Sequence, residues 1–301
     1  MYLVVGATGS LGGQVAKKLL SAGERVRVVV RDESPARAHS PHTDPEELIA
    51  LGAEPVRADL LDADSLVGAL DGIEVVVSSA SGTKRAPPDT TEAVDGIGTG
   101  NLARAAARAG VRRFVLVSAS GAYPEAPAGL FRDKGLGAKA VAESGVPYVI
   151  VRPGRYMRDW IGFLIGAQAQ AGDVVELVGD GSKATSFVHE PDVAEFVFRV
   201  ARDAEREPGE VELATESATY PEIVERMGRA MKRPLQVRYV PIGSRLSTLP
   251  DSVEGIVTHL LTVHALAPEN KEVAKGDAER YGLTLTGIDD FMSQMARPQP
   301  A

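Results

Sequence analysis

An apolar run, Tyr2 to Val5, passes with no spacer into Gly6-Ala7-Thr8-Gly9-Ser10-Leu11-Gly12. It continues as Leu11, Val15, Ala16, Leu19 and Leu20, a stripe at helical spacing that stops at Gly23. The valine-rich run Val26 to Val30 follows almost at once. A short strand, a glycine turn, an amphipathic helix and a second strand make a βαβ unit, whose strands lie parallel with the helix packed across them. That unit excludes all-helical and sandwich architectures and predicts a parallel sheet between helical layers.

The alternation repeats through the first half. Strands are predicted at Glu54 to Arg57, Val75 to Ser78, Phe114 to Val117 and Tyr148 to Val151, and a helix over Thr90 to Ala109 is closed by Gly110. Asp32 to Pro45, with Pro35, Pro41 and Pro45, reads as an irregular loop beside the end of the second strand. After Arg152-Pro153-Gly154 the pattern loosens. Helices are predicted over Met157 to Ala171, Pro191 to Ala204, Tyr220 to Met231, Ser252 to His264 and Ile288 to Met295, with strands at Val174 to Leu177, Glu210 to Ala214 and Gln236 to Val240. The fold class is α/β: a Rossmann-type doubly wound parallel sheet from residues 1–154. A smaller α+β substrate-binding part, residues 155–301, packs on its carboxyl edge and returns some strands to the main sheet.

Composition narrows the partners. The 301 residues carry 33 Lys and Arg against 41 Asp and Glu, a net charge of −8, which disfavours broad attraction to nucleic acid or an anionic membrane. No stretch approaches the ~18–20 apolar residues that span a bilayer, and no cationic leader precedes the first strand, so a cytoplasmic protein is expected. Cysteine is absent, which removes thiol nucleophiles and thiolate metal sites. His259 and His264, five apart on a predicted helix, cannot form an i, i+4 metal pair, so no metal is expected.

A glycine-lined turn that opens a helix suits a diphosphate. Bare backbone admits the phosphates, and the helix N-terminus supplies N–H donors and a positive dipole end. Gly6, Thr8, Gly9, Ser10, Leu11 and Gly12 are therefore candidate cofactor-binding residues, with the hydroxyls of Thr8 and Ser10 as further donors. The Gly-x-x-Gly-x-x-Gly spacing resembles the short-chain dehydrogenase/reductase superfamily. Together with Val28-Val29-Val30-Arg31, Ala58-Asp59-Leu60, Val117-Ser118 and Ser144 through Gly154, it more closely resembles that superfamily's atypical NmrA-like and isoflavone-reductase-like branch. The likeness covers about the first half of the chain.

The end of the second strand carries Val30 and then Arg31, where a carboxylate would hold the ribose of NAD and a cation the 2′-phosphate of NADP. NADP(H) is expected over NAD(H), with Asp32 as the competing ribose ligand and Arg37 or His39 as further phosphate contacts. The resemblance implies Asp59, with Leu60, near the adenine; capping a helix from Ala63 is the other reading, which Asp62 suits better. Ser79 and Ala80, with Ser81, occupy the position that meets the nicotinamide ribose.

The superfamily's acid is a tyrosine with a lysine four residues later, and no Tyr-x-x-x-Lys occurs here. Counting back from Ser144-Gly145 aligns Lys134 with the family lysine and Leu130 with the tyrosine. The resemblance implies that Lys134 binds the nicotinamide ribose and donates the proton. Lys139 competes, since Gly135 and Gly137 weaken the helix around Lys134. Ser118, with Ser120 behind it, is placed to orient a substrate carbonyl, and Tyr123 and Tyr156 are substitute donors. His189 reads as support for a helix begun near Asp192.

The leading expectation is an NADPH-dependent reductase of a ketone, quinone or activated double bond. Trp160, Phe163 and Leu164 would offer an apolar wall to a small aromatic or polyketide-like substrate. The alternative is a non-catalytic NAD(P)-sensing regulatory or assembly protein of the NmrA-like type, which needs no proton donor. A sugar-nucleotide epimerase or decarboxylase is disfavoured by the missing tyrosine. The resemblance also suggests a homodimer.

Overall fold

The computed structural model describes residues 1–31, 43–83, 85, 87–127, 129–172, 174–247, 258, 261–262, 264–265 and 276–295. Asp32, Arg37, His39 and His259 lie outside the described residues, as does most of the helix predicted over Ser252 to His264.

The first elements are β1 (Tyr2–Val5), α1 (Ser10–Ser21), β2 (Val26–Val30), α2 (Pro45–Ala50), β3 (Glu54–Arg57), α3 (Ser65–Ala69) and β4 (Val75–Ser78). A helix with a π-helical start, Glu92–Gly98, continues as α4 (Thr99–Arg108), followed by β5 (Arg113–Val117), α5 (Leu130–Glu143) and β6 (Tyr148–Pro153). Next come β7 (Arg155–Tyr156), a π-helical stretch Arg158–Gly166 running into α6 (Ala167–Ala171), β8 (Val174–Val178), β9 (Thr185–Val188) and α7 (Glu190–Arg202). The chain then forms β10 (Gly209–Leu213), β11 (Glu216–Ala218), α8 (Tyr220–Ala230), β12 (Gln236–Val240) and helices at Gly276–Arg280 and Ile288–Met295.

The described chain divides into two compact units, residues 1–152 with 193–212, and residues 153–192 with 213–301. The first holds the seven-stranded sheet, in the order β10-β6-β5-β4-β1-β2-β3. The pairs from β3 across to β6 are parallel. Strand order reverses at β1, flanked by β2 and β4, and such a reversal opens a crevice at the carboxyl ends of the strands. The sheet is buried on both faces, which explains why β1, β4 and β5 read as unbroken apolar runs. Leu3, Val76, Phe114 and Ile150 join Leu102, Ala103 and Ala106 of α4 in one core.

The second unit has its own core, in which Met157, Ile161 and Leu164 meet Phe187, Tyr220, Ile223 and Met292. It carries the three-stranded sheet β11-β9-β7 and the pair β12-β8. Helix α8 starts with a capping box, Thr219 and Glu222 bonding each other's backbone.

The structure adds three features to the sequence reading. The strand read near Glu210 forms the seventh strand of the main sheet, beside β6. The helix expected from Met157 is preceded by the two-residue strand β7, which pairs with β9 through Arg155–Phe187 and Tyr156–Val188. Strands β9 and β11 are too short for a period-2 signal and are defined by pairing with each other. No helix among the described residues is long and apolar enough to cross a membrane.

Candidate cofactor and catalytic site

The glycines of the first turn are fixed by close approach. Gly6 has φ +86°, and a Cβ on it would lie 2.7 Å from the Ala80 nitrogen. A Cβ on Gly12 would lie 2.3 Å from the Gly6 carbonyl oxygen and 2.6 Å from the Ser79 hydroxyl. Gly9 donates to the Gly6 carbonyl at 2.9 Å and is the N-cap of α1. No side chain caps that helix and no acidic residue sits in its first turn, so its positive end faces the turn without a counter-charge from the helix itself. Thr43, which carried no sequence signal, packs on Gly13 and donates its N–H to the Thr8 carbonyl at 3.0 Å. Leu11 is buried beneath the turn.

Register places the next groups on the same edge. Val5 pairs with Ser78, and Ser78 with Leu116, so Gly6, Ser79 and Ser118 leave neighbouring strands at their carboxyl ends. The Ser79 N–H donates to the Val5 carbonyl at 3.0 Å. The Ser78 and Ser118 hydroxyls are buried without a hydrogen-bond partner. A buried hydroxyl with no partner is costly, and an incoming polar group removes that cost.

Arg31 ends β2 and donates to Asp89 at 2.8 Å, while Arg85 approaches the same oxygen at 3.5 Å. Asp89 is almost fully buried. Sequence reasoning missed Arg85 and Asp89, because nothing in a proline-rich segment far along the chain announces a contact with β2. Asp59 forms a local turn, its carboxylate accepting from the Leu61 N–H at 2.9 Å. Neither it nor Asp62 caps the next helix, whose N-cap is Asp64. Leu60 is buried, and its carbonyl accepts from Asn101 at 3.0 Å.

Lys134 lies on α5 with its Nζ 2.7 Å from the buried Asp95 carboxylate. The other Asp95 oxygen accepts from the Gly82 N–H at 2.8 Å and the Ser81 hydroxyl at 3.2 Å. Asp95 thus ties the segment after β4 to α5, a role invisible in sequence because the residue sits in the π-helical stretch, off the α-helical stripe. Gly135 and Gly137 do not break α5. A Cβ on Gly137 would lie 2.0 Å from the Asp95 carbonyl oxygen, and one on Gly135 2.2 Å from the Tyr123 carbonyl carbon. Both glycines let the helix approach closely enough for Lys134 to reach Asp95. Lys139 is exposed and pairs with Glu143.

The tyrosines are differently engaged. Tyr123 is 44% exposed, donates to Glu212 at 3.2 Å and lies 4.5 Å below the Arg152 guanidinium. Partial burial and then Glu212 push its phenol pKa up. Tyr156 belongs to the second unit on β7, where burial, with Glu190 and Asp159, raises its pKa far above the ordinary value. His189 has Nδ1 3.8 Å from Asp192 and its ring 5.7 Å from Phe291. Asp192 in turn accepts from the Thr286 N–H at 2.6 Å. Of the expected apolar wall, Leu164 is core, Phe163 is 39% exposed, and Trp160 lies 5.1 Å from the Arg155 guanidinium.

A glycine turn at a strand-order reversal, an uncapped helix end and partnerless hydroxyls on the same edge define a dinucleotide-binding α/β protein. Residues 6–204 match the model of a family described as NAD(P)H-binding. The chain is 30% identical to an NAD(P)H azoreductase of Xenophilus azovorans over 89% of its length and 87% of the relative's. It is 25% identical to a phenylcoumaran benzylic ether reductase of Pinus taeda over 95% of this chain and 91% of that one. Its fold superposes on the NADPH complex of Escherichia coli quinone oxidoreductase QOR2 with a TM-score of 0.77, at 21% identity, over 99% of this chain and 100% of the other. The chain belongs to the NAD(P)H-binding family, in the NmrA-like and isoflavone-reductase-like branch of the atypical short-chain dehydrogenases/reductases. It is related to NAD(P)-dependent reductases and carries an NAD(P)H-binding domain.

Proposed function

We propose that the protein is an NADPH-dependent reductase of a ketone, quinone or activated double bond in a small aromatic or polyketide-like molecule. The observation that carries this reading is the Ser118 hydroxyl, buried with no partner among the described residues at the carboxyl edge of the sheet, beside which the chain also offers the ammonium group fixed on α5 by Asp95. The residues fit the cofactor: Gly6 and Gly12 have no room for a Cβ against Ala80, Ser79 and the turn itself, which keeps bare backbone at the uncapped start of α1, and Ser118 offers a buried hydroxyl with no partner among the described residues.

Gly6 to Gly12 and the start of α1 would hold the diphosphate, Arg31 with Arg85 the 2′-phosphate, Asp59 and Leu60 the adenine end, and Ser79 and Ala80 the nicotinamide ribose. NADPH supplies the hydride that reduces the substrate carbon. Lys134, oriented by Asp95, bonds the ribose and gives its proton to the oxygen on which charge develops, then regains one from solvent. Ser118 orients the carbonyl. Tyr123 and Tyr156 are weaker donors, because their phenol pKa values are raised.

The alternative, a cofactor sensor, is favoured by one observation: the Lys134 charge already has a carboxylate partner, an arrangement that stands without turnover. NADPH consumption against quinones, aromatic ketones and polyketide-like carbonyls separates the two. Consumption with at least one class is expected; tight NADPH binding with no consumption across the panel leaves the sensor.

A further inference from the structure

In the second unit, three buried or half-buried carboxylates each have an arginine: Glu176 with Arg238, Glu190 with Arg158 and Glu216 with Arg226. Arg155 breaks the pattern. It is half-buried on β7 and makes no ion pair with any described residue. One terminal nitrogen donates to the buried Thr185 hydroxyl, and the other lies 2.8 Å from His264 Nδ1. The guanidinium carbon sits 5.1 Å from the Trp160 ring centroid, and Nε is buried with no acceptor.

The described neighbours supply no negative charge. A guanidinium only donates, so His264 Nδ1 is the acceptor and the imidazole carries its proton on Nε2, uncharged. Burial first, then the Arg155 and Lys183 charges, hold the His264 pKa down at about 3. Tyr220, edge-on to His264 at 5.2 Å, keeps its phenol proton, its pKa pushed up to about 12 by burial. Lys183, donating to the Ala265 carbonyl at 2.6 Å, adds a second positive charge to the field at His264. A guanidinium in a low-dielectric, aromatic setting with no counter-ion among the described residues has spare N–H donors in a planar fork, which matches a carboxylate or sulfonate bidentately.

We propose that Arg155, with Trp160, His264 and Tyr220 around it, is an anion-recognition site within the second unit that selects planar aromatic acids, carboxylates or sulfonates. The site rests on geometry alone and stands whether or not the protein is a reductase. Trp160 is the single tryptophan of the chain, so its fluorescence reports the site directly.

The test is titration of the full-length protein with 4-nitrobenzoate and with its neutral isostere 4-nitrobenzamide, read as quenching of Trp160 and needing no NADPH. The expected result is at least tenfold tighter binding of the acid, abolished in Arg155→Met and partly kept in Arg155→Lys. 4-Nitrobenzenesulfonate in the same titration shows whether the fork accepts both anion types. Equal affinity for acid and amide in the unmodified protein overturns the proposal whatever the variants do, as does a preference that survives in a folded Arg155→Met. Acid-selective quenching with no NADPH consumption on aromatic acids or across the quinone, ketone and polyketide-like panel keeps the site and removes the reductase reading. Consumption confined to neutral substrates without acid-selective quenching removes the site alone.

Discussion

Lys134 is held by a carboxylate before any ligand arrives, so its contribution is separable from that of the exposed Lys139. Lys134→Ala should lower turnover about a hundredfold or more, at the low end for general acid catalysis. Full activity in that variant, with loss in Lys139→Ala, would move the role to the second lysine. At the phosphate end, Arg31→Ala should weaken NADPH binding by about 1.5–3 kcal/mol and leave NADH nearly untouched, measured by calorimetry. Equal affinity of the unmodified protein for the two dinucleotides contradicts the assignment. His264 gives a pH signature. Its folded pKa of about 3 lies below the ordinary 6.5, so the unfolded chain takes up a proton that the folded chain refuses. This contribution to stability is present above about pH 6.5 and is lost as pH falls toward 3, at up to about 1.4 kcal/mol per pH unit. Urea unfolding at about pH 7, 6, 5 and 4 should show a shallower loss in His264→Gln, whose amide can still accept from Arg155. Parallel profiles for the two proteins would sink the argument.

Among the elements, α5 and the π-helical start of the helix before it are the pair whose spacing matters most. Gly137→Ala puts a Cβ where the Asp95 carbonyl stands, and overpacking of that kind typically costs about 1–3 kcal/mol. Because the same displacement separates Lys134 from Asp95, stability and turnover should fall together; Lys134→Ala strands the buried Asp95 carboxylate and should lower the unfolding midpoint as well as turnover, whereas Lys134→Ala combined with Asp95→Asn should lower turnover with a smaller loss of stability. A Gly137→Ala protein with unchanged activity would show that the helices adjust without consequence for the lysine. Gly135 and Gly137 read in the sequence as helix weakeners, since propensity counts only the local backbone. Packed against a neighbouring backbone, the missing Cβ is what allows the approach.

For the whole molecule, ligand linkage offers a direct readout: NADPH at about a hundred times its dissociation constant should stabilise the folded chain by about 2.7 kcal/mol. If the two units unfold separately in a thermal scan, only the transition containing the Gly6 to Gly12 turn should move; an unmoved scan argues against binding there. The sequence by itself determined the βαβ start, the parallel strands β1 to β6 and the phosphate turn, because each is a local signal: valine runs, helical period and glycines at a forced backbone conformation. It also singled out Lys134 as a candidate, through resemblance. Only the tertiary structure decided that Asp95 holds that lysine, that Arg31 shares Asp89 with Arg85, that the strand near Glu210 completes the main sheet and that Arg155 has no counter-ion among the described residues. Those are pairings between residues far apart in the chain. Charge and hydrogen bonding depend on separation in space, and periodicity along the chain carries no record of it.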